Sequence, residues 1–146
     1  MILNMIKEEN PTEILNNMKK EIIYTKDAPE PIGPYNQGVK IGRTLYISGQ
    51  IPLIPGKMEL VNNDLEKETI QVMKNIEAIL LKANMTFDNV VKTTIFLSDM
   101  KNFEIVNKIY GRYFEPEKAP ARETVQVSNL PKYVRLEISV IASEID

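Results

Sequence analysis

No cysteine, histidine or tryptophan occurs among the 146 residues. Without cysteine there is no disulfide and no thiolate nucleophile. Without histidine there is no Ser-His-Asp triad, and without either there is no His- or Cys-ligated zinc. Any general acid or base must be a carboxylate, a lysine, a tyrosine or a bound water. A basic excess is missing too: 18 Lys and Arg stand against 20 Asp and Glu, for a net charge of −2 and a pI near 5.4. Phosphate backbones select basic fields, so nucleic acid is not an expected partner. Apolar runs are only a few residues long, far short of the ~20 that a transmembrane helix needs. Lys7, Glu8 and Glu9 interrupt the opening segment, and the first arginine is Arg43. That segment reads as neither a secretory signal nor a mitochondrial transit peptide. No membrane association is expected, and the cytoplasm is the expected location.

The rest describes one globular domain. Hydrophobic residues make up 43% and charged residues 26%, and a chain of this size buries roughly 70% of its unfolded surface. Residues 1–17 read as an N-terminal extension and residues 18–146 as the domain. Within the extension, Asn10-Pro11-Thr12-Glu13 has the signature of a helix start: a capping Asn, Pro at the first helical position and Glu at the capping-box position. Strands are expected over 21–25, 37–41 and 44–48, the last two joined by the turn Gly42-Arg43. Pro29, Pro31 and Pro34 stiffen the intervening loop. Leu65, Thr69, Val72, Met73, Ile76, Ile79 and Leu80 recur at helical spacing and predict a helix over 64–82. Phe103, Val106, Tyr110 and Tyr113 predict another over 101–114. The runs 90–97, 122–127 and 134–142 complete the strands.

That order gives an α+β domain with a mixed sheet and two long helices. Two helices cover one face of such a sheet, and the other must meet solvent or a partner. In the last strand Leu136, Ile138 and Val140 alternate with Glu137, Ser139 and Ile141, so the first set should face the helices. In the preceding strand Arg122, Thr124 and Gln126 are the polar set and are expected on the uncovered face. Ser48, Arg122, Thr124 and Ser139 would then gather there. Arg122 is one of only four arginines, and its planar fork suits bidentate capture of a carboxylate or of a neighbouring chain's acid. Tyr35, in a proline-stiffened loop, stands either beside a pocket or packed as part of a connector. Ser48-Gly49-Gln50 offers backbone donors at a strand end, and Lys92 reads as a solvated strand lysine.

At these residues the sequence resembles the RidA/YjgF family of reactive intermediate imine deaminases, also known as L-PSP-type endoribonucleases. The resemblance is carried by IGPYNQGV, YISGQIPL, VVKTTIFLSDM, FEIVNKIYGRYF, APARETVQVSNLP and VRLEISVIA, spread over nearly the whole chain after the extension. It implies a chorismate-mutase-like fold and a homotrimer around a central barrel, with a cleft between each pair of neighbours. It implies hydrolysis of enamine/imine intermediates, such as 2-iminobutanoate and 2-iminopropanoate, to 2-keto acids and ammonia, with no metal or organic cofactor. Arg122 matches the carboxylate-binding Arg, Tyr35 the pocket Tyr, Ser48 and Gly49 the loop lining the cleft, and Asn107 an Asn near the ligand. Thr124 falls where many members carry Cys. Counting along the last segment puts Ser139 where many deaminases have a water-orienting Glu, with Glu137 matching an acid two residues earlier. Arg122 and Ser139 are thus the expected catalytic residues. The alternatives are an endoribonuclease or translation inhibitor acting on single-stranded RNA, and a non-catalytic binder of small carboxylates.

Overall fold

The computed structural model describes residues 10–146; residues 1–9 of the expected extension lie outside the described residues. A short helix α1 (Pro11–Asn17) opens the chain, and the Thr12 amide donates to Asn10 Oδ1 at 3.1 Å, as the capping signature requires. Strands β1 (Lys20–Ile23), β2 (Gly38–Ile41) and β3 (Thr44–Gln50) follow. Gly42 takes a left-handed backbone (φ 56°) in the tight β2–β3 turn, where a Cβ would be strained. Helix α2 (Leu65–Lys82) starts at Asp64, whose Oδ1 accepts the Lys67 amide at 3.0 Å. Its apolar stripe from Leu65 through Leu80 is buried.

Strand β4 (Val90–Leu97), helix α3 (Phe103–Gly111), strand β5 (Ala121–Gln126) and strand β6 (Leu136–Ser143) complete the domain. Helix α3 is shorter than its periodicity predicts. Asp99 caps a 3-10 turn at residues 100–102, and tight turns after Gly111 let Tyr113 and Phe114 pack on Phe87 with ring centroids 5.2 and 5.4 Å away. Strand β6 starts two residues later than expected, because Pro131–Tyr133 forms a 3-10 turn.

The strands form one sheet in the order β1-β2-β3-β6-β4-β5, antiparallel throughout except for the β4–β5 pair. Helices α2 and α3 lie on one face, and the main core fills the space beneath them with Leu45, Ile47, Ile76, Ile95, Leu97, Ile138 and Val140. A smaller cluster, Ile51, Leu53, Leu130 and Val134, packs two loops together with Phe96. The alternation in β6 is as expected: Leu136, Ile138 and Val140 are buried, while Glu137, Ser139 and Ile141 face the other way.

Strand β5 departs from expectation. Its parallel register pairs Arg122 with Thr93 and Thr124 with Ile95, both of which face the helices. Paired residues share a face, so Arg122, Thr124 and Gln126 lie on the helix side, and Glu123 and Val125 lie on the uncovered side. Polarity misleads here because β5 is an edge strand that α3 covers only in part, so its helix side tolerates polar residues. Lys92 pairs with Glu123 at 2.8 Å on the uncovered face. Among the described residues no helix is long and apolar enough to cross a membrane.

Two substitutions on α2 check the packing. Ile76 is fully buried, whereas Leu81 is 58% exposed. Ile76→Ala should lower the unfolding free energy by about 2–5 kcal/mol, and Leu81→Ala should change it by no more than about 0.5 kcal/mol. Urea unfolding of both variants makes the comparison.

Candidate functional site

The loop between β1 and β2 is built around one buried amide. Gln37 Oε1 accepts the Thr25 amide at 2.7 Å, and its Nε2 donates to the carbonyls of Thr25 and Pro29, each at 2.9 Å. These bonds, with the prolines, fix a segment that has no regular structure of its own. They hold up Ile32 and Tyr35, where the Ile32 amide donates to the Tyr35 hydroxyl at 3.2 Å. The same residues seat the end of β3: the Ser48 amide donates to the Gln37 carbonyl at 3.0 Å, and Ser48 Oγ donates to the Asn36 carbonyl at 2.6 Å.

Strand β3 loses register with β6 between Ile47 and Gln50. Such a break re-aims backbone and side chains locally. Here it brings Gly49 against the Glu137 carboxylate so closely that a Cβ at position 49 would overlap Oε1. Beyond the break, Asn75 of α2 donates to the carbonyls of Ile51 and Leu53 at 3.2 and 2.9 Å and pins the following loop.

The result is a cavity of about 300 Å³ lined by Tyr35, Ser48, Gly49 and Glu137, with Ile32, Ile51 and Pro131 as its apolar walls. Burial pushes the Glu137 carboxyl above the ordinary carboxylate range, because the charged form loses solvation there. A carboxyl with a raised pKa beside an apolar wall can exchange a proton with a bound water. Ser139 shares the face of Glu137 but lies one pair along the sheet, opposite Thr94, and does not line this cavity. Strand parity puts both residues on the uncovered face. The register break beside Gly49 brings Glu137, and not Ser139, to the cavity.

A second group of expected residues meets on the helix face. Arg122 Nη1 donates to Asn107 Oδ1 at 2.7 Å, and the guanidinium carbon sits 5.0 Å from the Tyr110 ring centroid and 5.8 Å from that of Phe103. Both rings lie within cation–π range of the guanidinium. Tyr110 is tied in turn to Thr93 Oγ1 at 3.1 Å, and burial raises its phenol pKa. Thr124, next along the same face, has a buried hydroxyl with no hydrogen-bond partner among the described residues. Arg122 spends one donor on a neutral amide, and its remaining N–H groups suit a carboxylate. The structure therefore joins Arg122 with Asn107 and Thr124, and Tyr35 with Ser48, Gly49 and Glu137. The expected gathering of Ser48, Arg122, Thr124 and Ser139 on one face does not occur, because the β4–β5 register turns Arg122 and Thr124 the other way.

A family model described as Endoribonuclease L-PSP matches residues 25–144. The chain belongs to this family, the RidA/YjgF proteins. It is 50% identical to a RutC family protein of Saccharolobus solfataricus, over 86% of this chain and 98% of that relative. It is 41% identical to the chloroplastic Reactive Intermediate Deaminase A of Arabidopsis thaliana, over 88% of this chain and 68% of that one. Among solved structures, E. coli TdcF with bound serine superposes with a TM-score of 0.80 at 38% identity, covering 86% of this chain and 99% of that one.

Two variants probe the cavity of this RidA/YjgF chain. Gly49→Ala should leave the fold intact, since a flexible Glu side chain can move aside, but should displace the carboxylate and weaken small-ligand binding at least tenfold by calorimetry. An acid whose folded pKa is raised stabilises the fold below its unfolded value, about 4.3 for Glu, and that contribution is lost as pH rises through the folded value. Glu137→Gln should therefore raise the melting temperature at neutral pH and leave it unchanged well below pH ~4.

Proposed function

We propose that this chain is an imine deaminase. It hydrolyses 2-imino acids, or their enamine tautomers, to 2-keto acids and ammonia, without metal or organic cofactor. The observation that carries this reading is the desolvated Glu137 carboxylate facing Gly49 inside a cavity of about 300 Å³. A space of that size is at the small end of ligand pockets and suits a short organic acid better than a strand of RNA. The name of the Arabidopsis relative supports the same chemistry.

In the proposed reaction Arg122 holds the substrate carboxylate and so aims the C=N carbon at a water on Glu137. Glu137 takes a proton from this water as the oxygen adds to the carbon of the protonated imine, giving a neutral carbinolamine. Glu137 then returns that proton to the nitrogen, the C–N bond breaks as the hydroxyl oxygen becomes the ketone, and the hydroxyl proton passes to the departing ammonia. A 2-keto acid and ammonium leave, the extra proton on ammonium being the one the protonated imine brought, and Glu137 ends as it began. Such imines already react with water, so positioning and a poised base suffice for useful acceleration. The role that the sequence alone suggests for Ser139 passes to Glu137.

Arg122 and Glu137 lie on opposite faces of one sheet. A single copy cannot present both to one small ligand, so the reading requires a neighbour, and a homotrimer with three shared sites is the proposed assembly. The uncovered face supports it. Ile22, Ile41, Tyr46 and Val125 are each more than a third exposed there, and exposed apolar patches of this kind mark interaction surfaces. Cytoplasmic location is part of the same proposal.

Arg122→Ala should weaken binding of a 2-keto acid by about 1.5–3 kcal/mol, the scale of a charge-assisted hydrogen bond. Glu137→Gln should lower turnover of a dehydratase-generated imine by ~10²-fold or more, and Ser139→Ala should stay close to wild type. Light scattering should give three times 16.7 kDa. Mixed trimers of Arg122→Ala and Glu137→Gln chains should regain activity, because some of their sites combine an intact Arg122 with an intact Glu137. Inactivity of such mixtures at wild-type assembly would refute the shared site, and a wild-type protein that does not accelerate ketoacid release would refute the deaminase.

A further inference from the structure

Beside the first cavity lies another of about 290 Å³. The two abut along two peptide bonds: Ile51 and Pro131 wall the first, and their successors Pro52 and Lys132 wall the second. Three non-glycine residues with left-handed backbone meet at its rim, Asn63 (φ 65°), Lys132 (φ 55°) and Tyr133 (φ 54°). Tyr133 is 85% exposed, so burial does not hold it in that conformation. Strained backbone and an uncovered aromatic ring at a cavity mouth are features that binding sites accumulate.

The charges and hydrogen-bond groups around this cavity do not balance. Glu68 is buried, and both its oxygens accept from Arg135, from Nε at 2.9 Å and from Nη2 at 2.8 Å. Asp64, at the start of α2, pairs with Lys67 at 3.5 Å. Two acids are thus matched by two bases, and Lys132 is left over, with no ion pair among the described residues. Arg135 Nη1 has no protein partner among the described residues, while Asn62 spends its oxygen on Asn63 Nδ2 at 3.1 Å and keeps its own amide hydrogens. The polar side of the cavity offers donors and one net positive charge. Leu60, Val61 and Val134 supply apolar lining to the same cavity.

We propose that this cavity is a second ligand site, distinct from the Tyr35–Glu137 cavity, for a small organic carboxylate with an apolar body. Lys132 Nζ, Arg135 Nη1 and Asn62 Nδ2 receive the carboxylate, and the body lies between the Tyr133 ring and the apolar wall. Because Ile51–Pro52 and Pro131–Lys132 belong to both walls, occupancy here stiffens one side of the first cavity.

Benzoate is the probe, titrated by calorimetry at low salt into full-length protein carrying Arg122→Ala, which removes the carboxylate anchor of the first site. One benzoate per chain should still bind. Adding Lys132→Ala should weaken it at least fivefold, whereas Lys132→Arg should keep most of the affinity. Tyr133→Gly should raise the melting temperature by relieving the backbone and at the same time weaken benzoate binding. The proposal fails if Arg122→Ala abolishes all benzoate binding, or if Lys132→Ala leaves it unchanged. It also fails if inorganic phosphate binds as tightly as benzoate, since the apolar wall would then contribute nothing. These outcomes do not depend on imine turnover, so they stand apart from the test of the deaminase.

Discussion

A six-stranded sheet with two long helices can bury only one of its faces, and everything functional in this protein follows from which residues fall on which side. Apolar side chains of β3, β4 and β6 fill the covered face beneath α2 and α3. The uncovered face keeps Tyr46, Ile22 and Val125 exposed and carries the Lys92–Glu123 pair. Because side chains alternate with a period of two, a single register sets the side on which every residue of a strand stands. The parallel pairing of β5 with β4 turns Arg122 toward α3, where Asn107, Tyr110 and Phe103 hold it. The antiparallel pairing of β6 turns Glu137 away from the helices. Arg122 and Glu137 are thereby separated by the sheet, and this separation is why the proposed reaction calls for a site shared between copies.

The pocket around Glu137 is made mostly of loop, and loops need their polar backbone groups satisfied to hold one shape. Buried amides meet that need. Gln37 ties down the loop that carries Tyr35, and Asn75 reaches across from α2 to the Ile51–Leu53 segment. Leaving those carbonyls unpaired in the interior would cost about 1–3 kcal/mol each, so the polar anchors are part of the fold. The absence of a side chain at Gly49 completes the pocket, since the Glu137 carboxylate occupies the space that a Cβ would fill.

Membership of the RidA/YjgF family and the pocket chemistry bear on different questions. The family match covers the domain from Thr25 onward and sets the architecture. Chemistry rests on individual side chains, and here the absence of His and Cys leaves carboxylates as the side chains that are already deprotonated, and so able to accept a proton, near neutral pH. A half-buried glutamate with a raised pKa is the form in which a carboxylate acts near neutral pH.

Much was legible from the chain alone. Helix α2, strand β4 and the facing of β6 follow from hydrophobic periodicity, because burial of one face imposes that period on the sequence. Asp64 and Asn10 mark helix starts because backbone amides there need an acceptor. The exclusion of thiol and imidazole chemistry and of His- or Cys-ligated zinc is a matter of composition. The motifs pointing to Arg122, Asn107, Tyr35, Ser48 and Gly49 were likewise readable. Tertiary structure decided the rest. The face of β5 depends on its pairing with β4, since an edge strand with mixed polarity has no period strong enough to declare a side. The presence of Glu137 in the cavity, where Ser139 is not, goes with the register break at Ser48–Gly49, a contact between segments nearly ninety residues apart in the chain. Local patterns record which side of an element is dry; which strand lies beside it, and what therefore meets across the gap, is set only when the chain closes on itself.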